Sequence, residues 1–217
     1  MINDLFSRYE NIAQKADLLF KTIQEKYPLS IKCHIRCCDC CYAVFGVFPV
    51  EAAYINYHFN RLGRKIRRDI LRRAEKADEG ILRAKDMLQQ VFDDEPKMQT
   101  YGLGKQKVRC PFLTDKDECI FYEKRPIICR IYGVPYSLTK DNKEHSYACG
   151  ISGFQEKVTY PTVKLDKLYN ELVQISRELL SEGGTPIAKL NKANFMLPLS
   201  RVLRMPLEEI IKGEFGE

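Results

Sequence analysis

The chain contains no tryptophan and only three histidines, His34, His58 and His145, in 217 residues. That leaves little material for a histidine-built nucleophile pair, although His34 or His145 could serve as an extra metal ligand. No long hydrophobic run is present. The longest nearly uninterrupted one, residues 43–50, falls far short of the ~18 residues a membrane span needs, which excludes a membrane-crossing helix. The first ten residues lack a basic start followed by an apolar stretch and a small-residue cleavage site, so no secretory signal is expected and a reducing cytoplasm is the expected compartment. There is also no fixed-period repeat, no low-complexity tract and no clean linker, and disorder is excluded as the main state.

What is present suits a globular protein: 45% hydrophobic and 29% charged residues, with 35 Lys+Arg against 29 Asp+Glu for a net charge of +6. The length supports a core, and the chain reads as a single domain over residues 1–217. Leu5, Tyr9, Ile12, Ala16, Leu19 and Ile23 alternate at steps of four and three, which predicts an amphipathic first helix ending at Tyr27-Pro28. Residues 42–48 read as an irregular connection, because Gly46 and Pro49 interrupt their strand-forming content. Pro49 and Glu51 suit a first helical turn and predict a helix over 49–61. A long helix is expected over 64–92, carried by Ile66, Ile70, Ala74, Ala77, Ile81, Leu88 and Val91, with Gly80 as its weak point. The helical period vanishes over 96–161, which predicts a segment dependent on its cysteines for order. It returns over 163–180 and in a short helix over 207–211, within a C-terminal helical segment at 162–212. The expected class is mainly α: a helical domain with long irregular cysteine-rich loops assembled around a metal site, and little β.

Nine cysteines are the distinctive content. Cys33, Cys37, Cys38, Cys40 and Cys41 crowd nine residues, and Cys110, Cys119, Cys129 and Cys149 are spread over forty. A lone free cysteine is ordinarily a small buried apolar residue, but nine grouped in this way in a reducing compartment point to metal. Neither group has the paired Cys-x-x-Cys knuckles of a zinc ribbon, so a site has to draw on both. Zinc takes four ligands and iron–sulfur clusters are held by four thiolates, so eight would close two such sites. Adjacent cysteines diverge from the backbone, hence Cys40 and Cys41 are expected to serve different metals or one of them to bridge. Cys38 is the spare, since Cys33-x3-Cys37-x2-Cys40-Cys41 accounts for the group without it.

The run Cys33-x3-Cys37-x2-Cys40-Cys41, then Cys110-Pro-Phe-Leu, then Cys119-Ile-Phe-Tyr-Glu-Lys-Arg125-Pro126-Ile-Ile-Cys129-Arg130, resembles the YkgJ-type cysteine-cluster family (CxxxCxxCC) of zinc- or iron-chelating domains. The likeness covers residues 33–149. It departs from the family at Tyr42-Ala43, where a glycine usually follows the double cysteine. The resemblance implies that Cys33, Cys37, Cys40, Cys41, Cys110, Cys119, Cys129 and Cys149 are ligands. Flagellin lysine N-methylases share the pattern and are associated with an iron–sulfur cluster. That favours an iron–sulfur cluster slightly over zinc, and implies as the alternative function a cluster-dependent lysine N-methylase-like enzyme using S-adenosylmethionine. No Gly-rich strand-to-helix turn supplies a cofactor pocket for that alternative.

Eight thiolates carry more negative charge than two zinc ions or one cubane would cancel. Lys32, Arg36, Arg109, Lys124, Arg125 and Arg130 flank the ligands and are expected to donate to sulfur. Two sharper readings do not hold. Radical S-adenosylmethionine enzymes usually place an aromatic before the last cysteine, where Asp39 stands, and a thioredoxin-like Cys-x-x-Cys needs a βαβ context that is absent. The basic run at 61–73 reads as a solvated helix face rather than a phosphate grip, since no nucleic-acid-binding motif accompanies it. Metal ions are the expected partners, a protein partner stays open, and neither nucleic acid nor membrane is expected.

Overall fold

The structure, a computed structural model, describes residues 2–34, 36–89, 106–140, 142–155 and 158–215. Helix α1 (Ile2–Lys26) forms where the first apolar stripe predicts it. It buries Leu5, Phe6, Tyr9, Ile12, Ala13, Ala16 and Ile23 and leaves Leu18 in solvent, as a 3.6-residue period requires. Strand β1 (Gly46–Val47) corrects the expectation of an irregular connection: it pairs antiparallel with a two-residue strand near the C-terminus, with Val47 opposite Leu197.

Helix α2 (Pro49–Phe59) is buried almost all round and forms the centre of the molecule. Pro49 sits in its first turn. Glu51, three residues in, turns its carboxylate back to accept the Phe48 N–H at 3.0 Å, which satisfies one of the donors a helix start leaves unpaired. The helix stops at Phe59, two residues before the expected end. Its Asn56 Nδ2 donates to the carbonyls of Val202 (2.8 Å) and Met205 (2.9 Å), tying down the C-terminal turns.

Helix α3 (Arg64–Gln89) runs unbroken through Gly80. It buries only a narrow stripe, Ile70, Ala74, Ala77 and Ala84, while Ile66 is exposed. The expected continuation through Val91 to residue 92, and its stop before Pro96, lie outside the described residues.

The described part of 96–161 departs most from expectation. It holds a short helix α4 (Ile127–Ile131) and a hairpin of β2 (Tyr136–Lys140) and β3 (Lys143–Tyr147). Phe112, Leu113, Phe121, Ile127, Ile131 and Val134 are all buried. The segment therefore contributes apolar side chains of its own to the core. These residues follow short turns and single helical turns, so they never build a period over an eleven-residue window.

Strand β4 (Val163–Lys164) joins β2 in parallel register, Tyr136 opposite Val163. Helix α5 (Leu165–Glu182) follows, with Leu165, Leu168, Leu172, Ile175, Leu179 and Leu180 inward; each fully buried leucine contributes roughly 2 kcal/mol. Gly183 ends it where a Cβ would stand 2.2 Å from the Ile211 carbonyl oxygen, so only glycine lets the last helix lie this close. A 3-10 run (Ile187–Asn194), strand β5 (Leu197–Pro198), helix α6 (Leu199–Val202) and helix α7 (Leu207–Ile211) complete the chain. Helix α1 packs on α4 and α5, α2 on α5 and α7, and α3 on α6, so the fold is mainly α. No helix among the described residues is long and apolar enough to cross a membrane.

Candidate metal centre

The first cysteine loop is held by short backbone turns. Arg36 takes a left-handed conformation (φ 71°), Cys37 N–H bonds to the His34 carbonyl at 2.9 Å, and Cys41 N–H bonds to the Cys38 carbonyl at 2.9 Å, within a 3-10 turn over Asp39–Tyr42. The second cysteine group docks onto this loop through the main chain. Cys110 N–H bonds to the Cys41 carbonyl at 2.7 Å and Val108 N–H to the Tyr42 carbonyl at 3.0 Å. The chain then turns over Pro111, and Leu113 and Cys119 face each other in an antiparallel bridge. The rings of Phe112 and Phe121 stack at 4.1 Å, 6° apart, behind them. Cys129 rides on α4, whose Ile127 N–H is accepted by the other oxygen of Glu51 at 2.9 Å.

The result is a cavity of about 440 Å³ lined by Cys33, Cys37, Cys40 and Cys41 from the first loop and Cys110, Cys119 and Cys129 from the second. Seven of the eight cysteines expected as ligands thus share one cavity. The eighth, Cys149, is buried beyond the hairpin. Its thiol donates to Asp39 at 3.5 Å and it lies in electrostatic range of Cys37. Cys38 does not line the cavity. All nine cysteines are free thiols. As they stand, no three His, Cys, Asp or Glu side chains among the described residues form a group that could hold an ion.

The thiols share protons unequally. Cys40 accepts hydrogen bonds from Cys129 and Cys41 and is held down at about 3, the Arg125 charge adding to the effect against burial. Its two donors are pushed well up, because each keeps its proton to serve the Cys40 thiolate. Burial, with the neighbouring cysteines, raises Cys33 and Cys110 to about 12. A single thiolate stabilised by surrounding thiols is the pattern expected of coupled titrating groups.

Of the cations expected at sulfur, Arg125 and Arg130 line the cavity, and both are anchored by Asp17. Arg125 Nη2 reaches Asp17 Oδ1 at 3.1 Å, and Arg130 Nη1 bonds to Oδ2. Arg36 pairs with Glu118 at 3.3 Å. Arg109 bonds to the Thr114 carbonyl at 2.7 Å and to Asp115 at 3.1 Å, and Lys124 donates to the Tyr54 hydroxyl at 2.8 Å. Lys32 is exposed. His34 lines the cavity, whereas His145 is exposed on β3.

Sequence reasoning missed three supports of the site. Asp17 carries no cue beyond its place beside buried Ala16. Gly133 is pressed so closely that a Cβ would meet Cys33 Cβ at 2.9 Å. Arg73, counted within the basic run, donates its Nε to the Pro111 carbonyl at 2.8 Å and ties α3 to the cysteine turn. Of the rest of that run, Arg61 lies over Tyr57 and Arg72 pairs with Asp69 on the exposed side, whereas Arg67 is half-buried and donates to the Asn60 carbonyl at 3.2 Å. The chain matches no protein-family model, and no curated protein or solved structure matches it.

Proposed function

We propose that this is a metal-binding protein that holds an iron–sulfur cluster or zinc through Cys33, Cys37, Cys40, Cys41, Cys110, Cys119, Cys129 and Cys149. The observation carrying the proposal is the convergence of seven of these thiols, separated by as many as ninety-six positions, on one cavity. The donor chemistry fits: soft thiolates select zinc and iron–sulfur clusters, and the cavity wall supplies the buried Arg130 and the Arg125 guanidinium against their charge. The slight preference for iron–sulfur comes from the motif resemblance. Binding requires the thiols above to lose protons and to move together, so it couples to local ordering of the two cysteine segments.

The test compares two cysteines. Anaerobically purified Cys129→Ala is expected to lose most of the metal the parent chain carries, and Cys38→Ala to retain it. Equal metal content in both variants would overturn the assignment.

A further inference from the structure

Away from the thiols, Arg67, Arg68 and Arg72 line a groove of about 820 Å³ between the first half of α3 and the turn that leads into α7. Its floor is apolar: Phe59 from the end of α2, Leu71 from α3, and Leu203, Met205 and Leu207 from the C-terminal side. Leu71, Met205 and Leu207 are only half-buried. Arg67 is held in place on the wall, with Nη1 on the Asn60 carbonyl at 3.2 Å, its guanidinium 5.9 Å from the centre of the Phe59 ring, and Nε buried without a partner. The charges around the groove are unevenly answered. Arg72 pairs with Asp69 and Arg204 with Asp78, whereas Arg67, Arg68 and, one turn earlier, Arg64 and Lys65 form no ion pair among the described residues. Arg64, Arg68 and Arg72 recur at every fourth position of the helix, a spacing at which like charges repel.

We propose that this groove docks an acidic, partly apolar segment of a partner polypeptide, its carboxylates against Arg64, Arg67 and Arg68 and its apolar side chains on Leu71, Met205 and Leu207. The proposal is independent of the metal reading. Carboxylates relieve the repulsion along the arginine row and match the planar fork of each guanidinium. The groove also carries two carboxylates of its own, Glu75 and Glu208. Glu75 is seven residues beyond Arg68, about 10 Å along the helix, which exceeds the ~8 Å over which exposed charges act at physiological salt. An acidic group at the Arg64–Arg68 end is therefore screened from it. The same two carboxylates and the apolar floor set a polypeptide above a nucleic acid. A phosphate chain would run past Glu75 and Glu208 and gain nothing from the floor, whereas a peptide changes from charged to apolar within a residue or two.

The test measures fluorescence anisotropy of the full chain with three labelled twelve-residue peptides, of glutamate and leucine, glutamine and leucine, or lysine and leucine, and with a labelled single-stranded DNA. The glutamate–leucine peptide is expected to bind tightest, and to weaken as salt is raised. Arg68→Glu, at an exposed position, should weaken it about fivefold or more, and Met205→Ser should weaken the glutamate–leucine and glutamine–leucine peptides alike. Circular dichroism checks that each variant is folded, and both should keep the metal content of the parent. Failure of the parent to bind the glutamate–leucine peptide, equal affinity for the glutamine–leucine one, tighter binding of the DNA, or unchanged binding by Arg68→Glu would overturn the proposal. None of these results touches the metal assignment, which is read from metal content alone.

Discussion

Each of the three guanidinium nitrogens of Arg130 donates to the protein. Its Nε bonds to the Arg125 carbonyl at 3.0 Å, Nη2 to the Glu123 carbonyl at 2.7 Å and Nη1 to Asp17, with the side chain only 7% exposed. One buried guanidinium thus fixes the loop between Cys119 and Cys129 and keeps its charge beside the thiols. Asp17→Asn is expected to lower stability by about 1–2 kcal/mol in urea denaturation, because a buried cation loses its counter-charge while its partner is partly exposed. Glu51 supplies a pH dependence. Burial raises it from 4.5 to about 7 against the two N–H donors and Arg130. A carboxyl with the higher value in the folded state keeps its proton longer there, so its contribution favours folding most below 4.5 and declines as pH rises to about 7. The decline amounts to roughly 3 kcal/mol at most. Glu51→Gln should lose this slope while paying a constant penalty, since its amide nitrogen would face one of the two N–H groups. Parallel stability-versus-pH curves for parent and variant would contradict that account.

Among the elements, legibility followed the length of the apolar period. Helices α1, α3 and α5 announce themselves because their stripes persist over several turns, and α2 because Pro49 and Glu51 mark its start. The β2–β3 hairpin does not, since every residue of β3 is exposed and no apolar alternation forms. Its one local cue is Asn142, which takes the left-handed conformation (φ 57°) that Asn tolerates in turns. Helix α4, the single turn carrying Cys129, is too short to show a period and is defined by Glu51 accepting its first N–H. Between α4 and the hairpin, Gly133 packs against both Cys33 and Phe20, the latter 3.0 Å from where a Cβ would stand. Gly133→Ala should therefore push the first cysteine loop away from α1. A loss of roughly 1–3 kcal/mol in stability and a lower metal content are expected, and a variant with unchanged melting temperature and metal would contradict this packing.

For the molecule as a whole, the cysteine spacing and the surrounding helices made the candidate site readable. Its supports were not, because they are made by residues distant in sequence: Asp17 from α1, Glu51 from α2, Arg73 from α3. Each of these fastens one helix to the cysteine segments, so the helical frame and the thiol cavity are expected to melt as one unit. The +6 charge is partly engaged at this centre, through Arg125 and Arg130, and partly displayed on the exposed face of α3. Quantifying iron, zinc and acid-labile sulfide on the anaerobically purified full chain tests the central claim most directly. At least one equivalent of zinc, or iron with matching sulfide and a brown colour that bleaches on reduction, is the expected result; a folded chain with less than one equivalent of iron and zinc combined would contradict it.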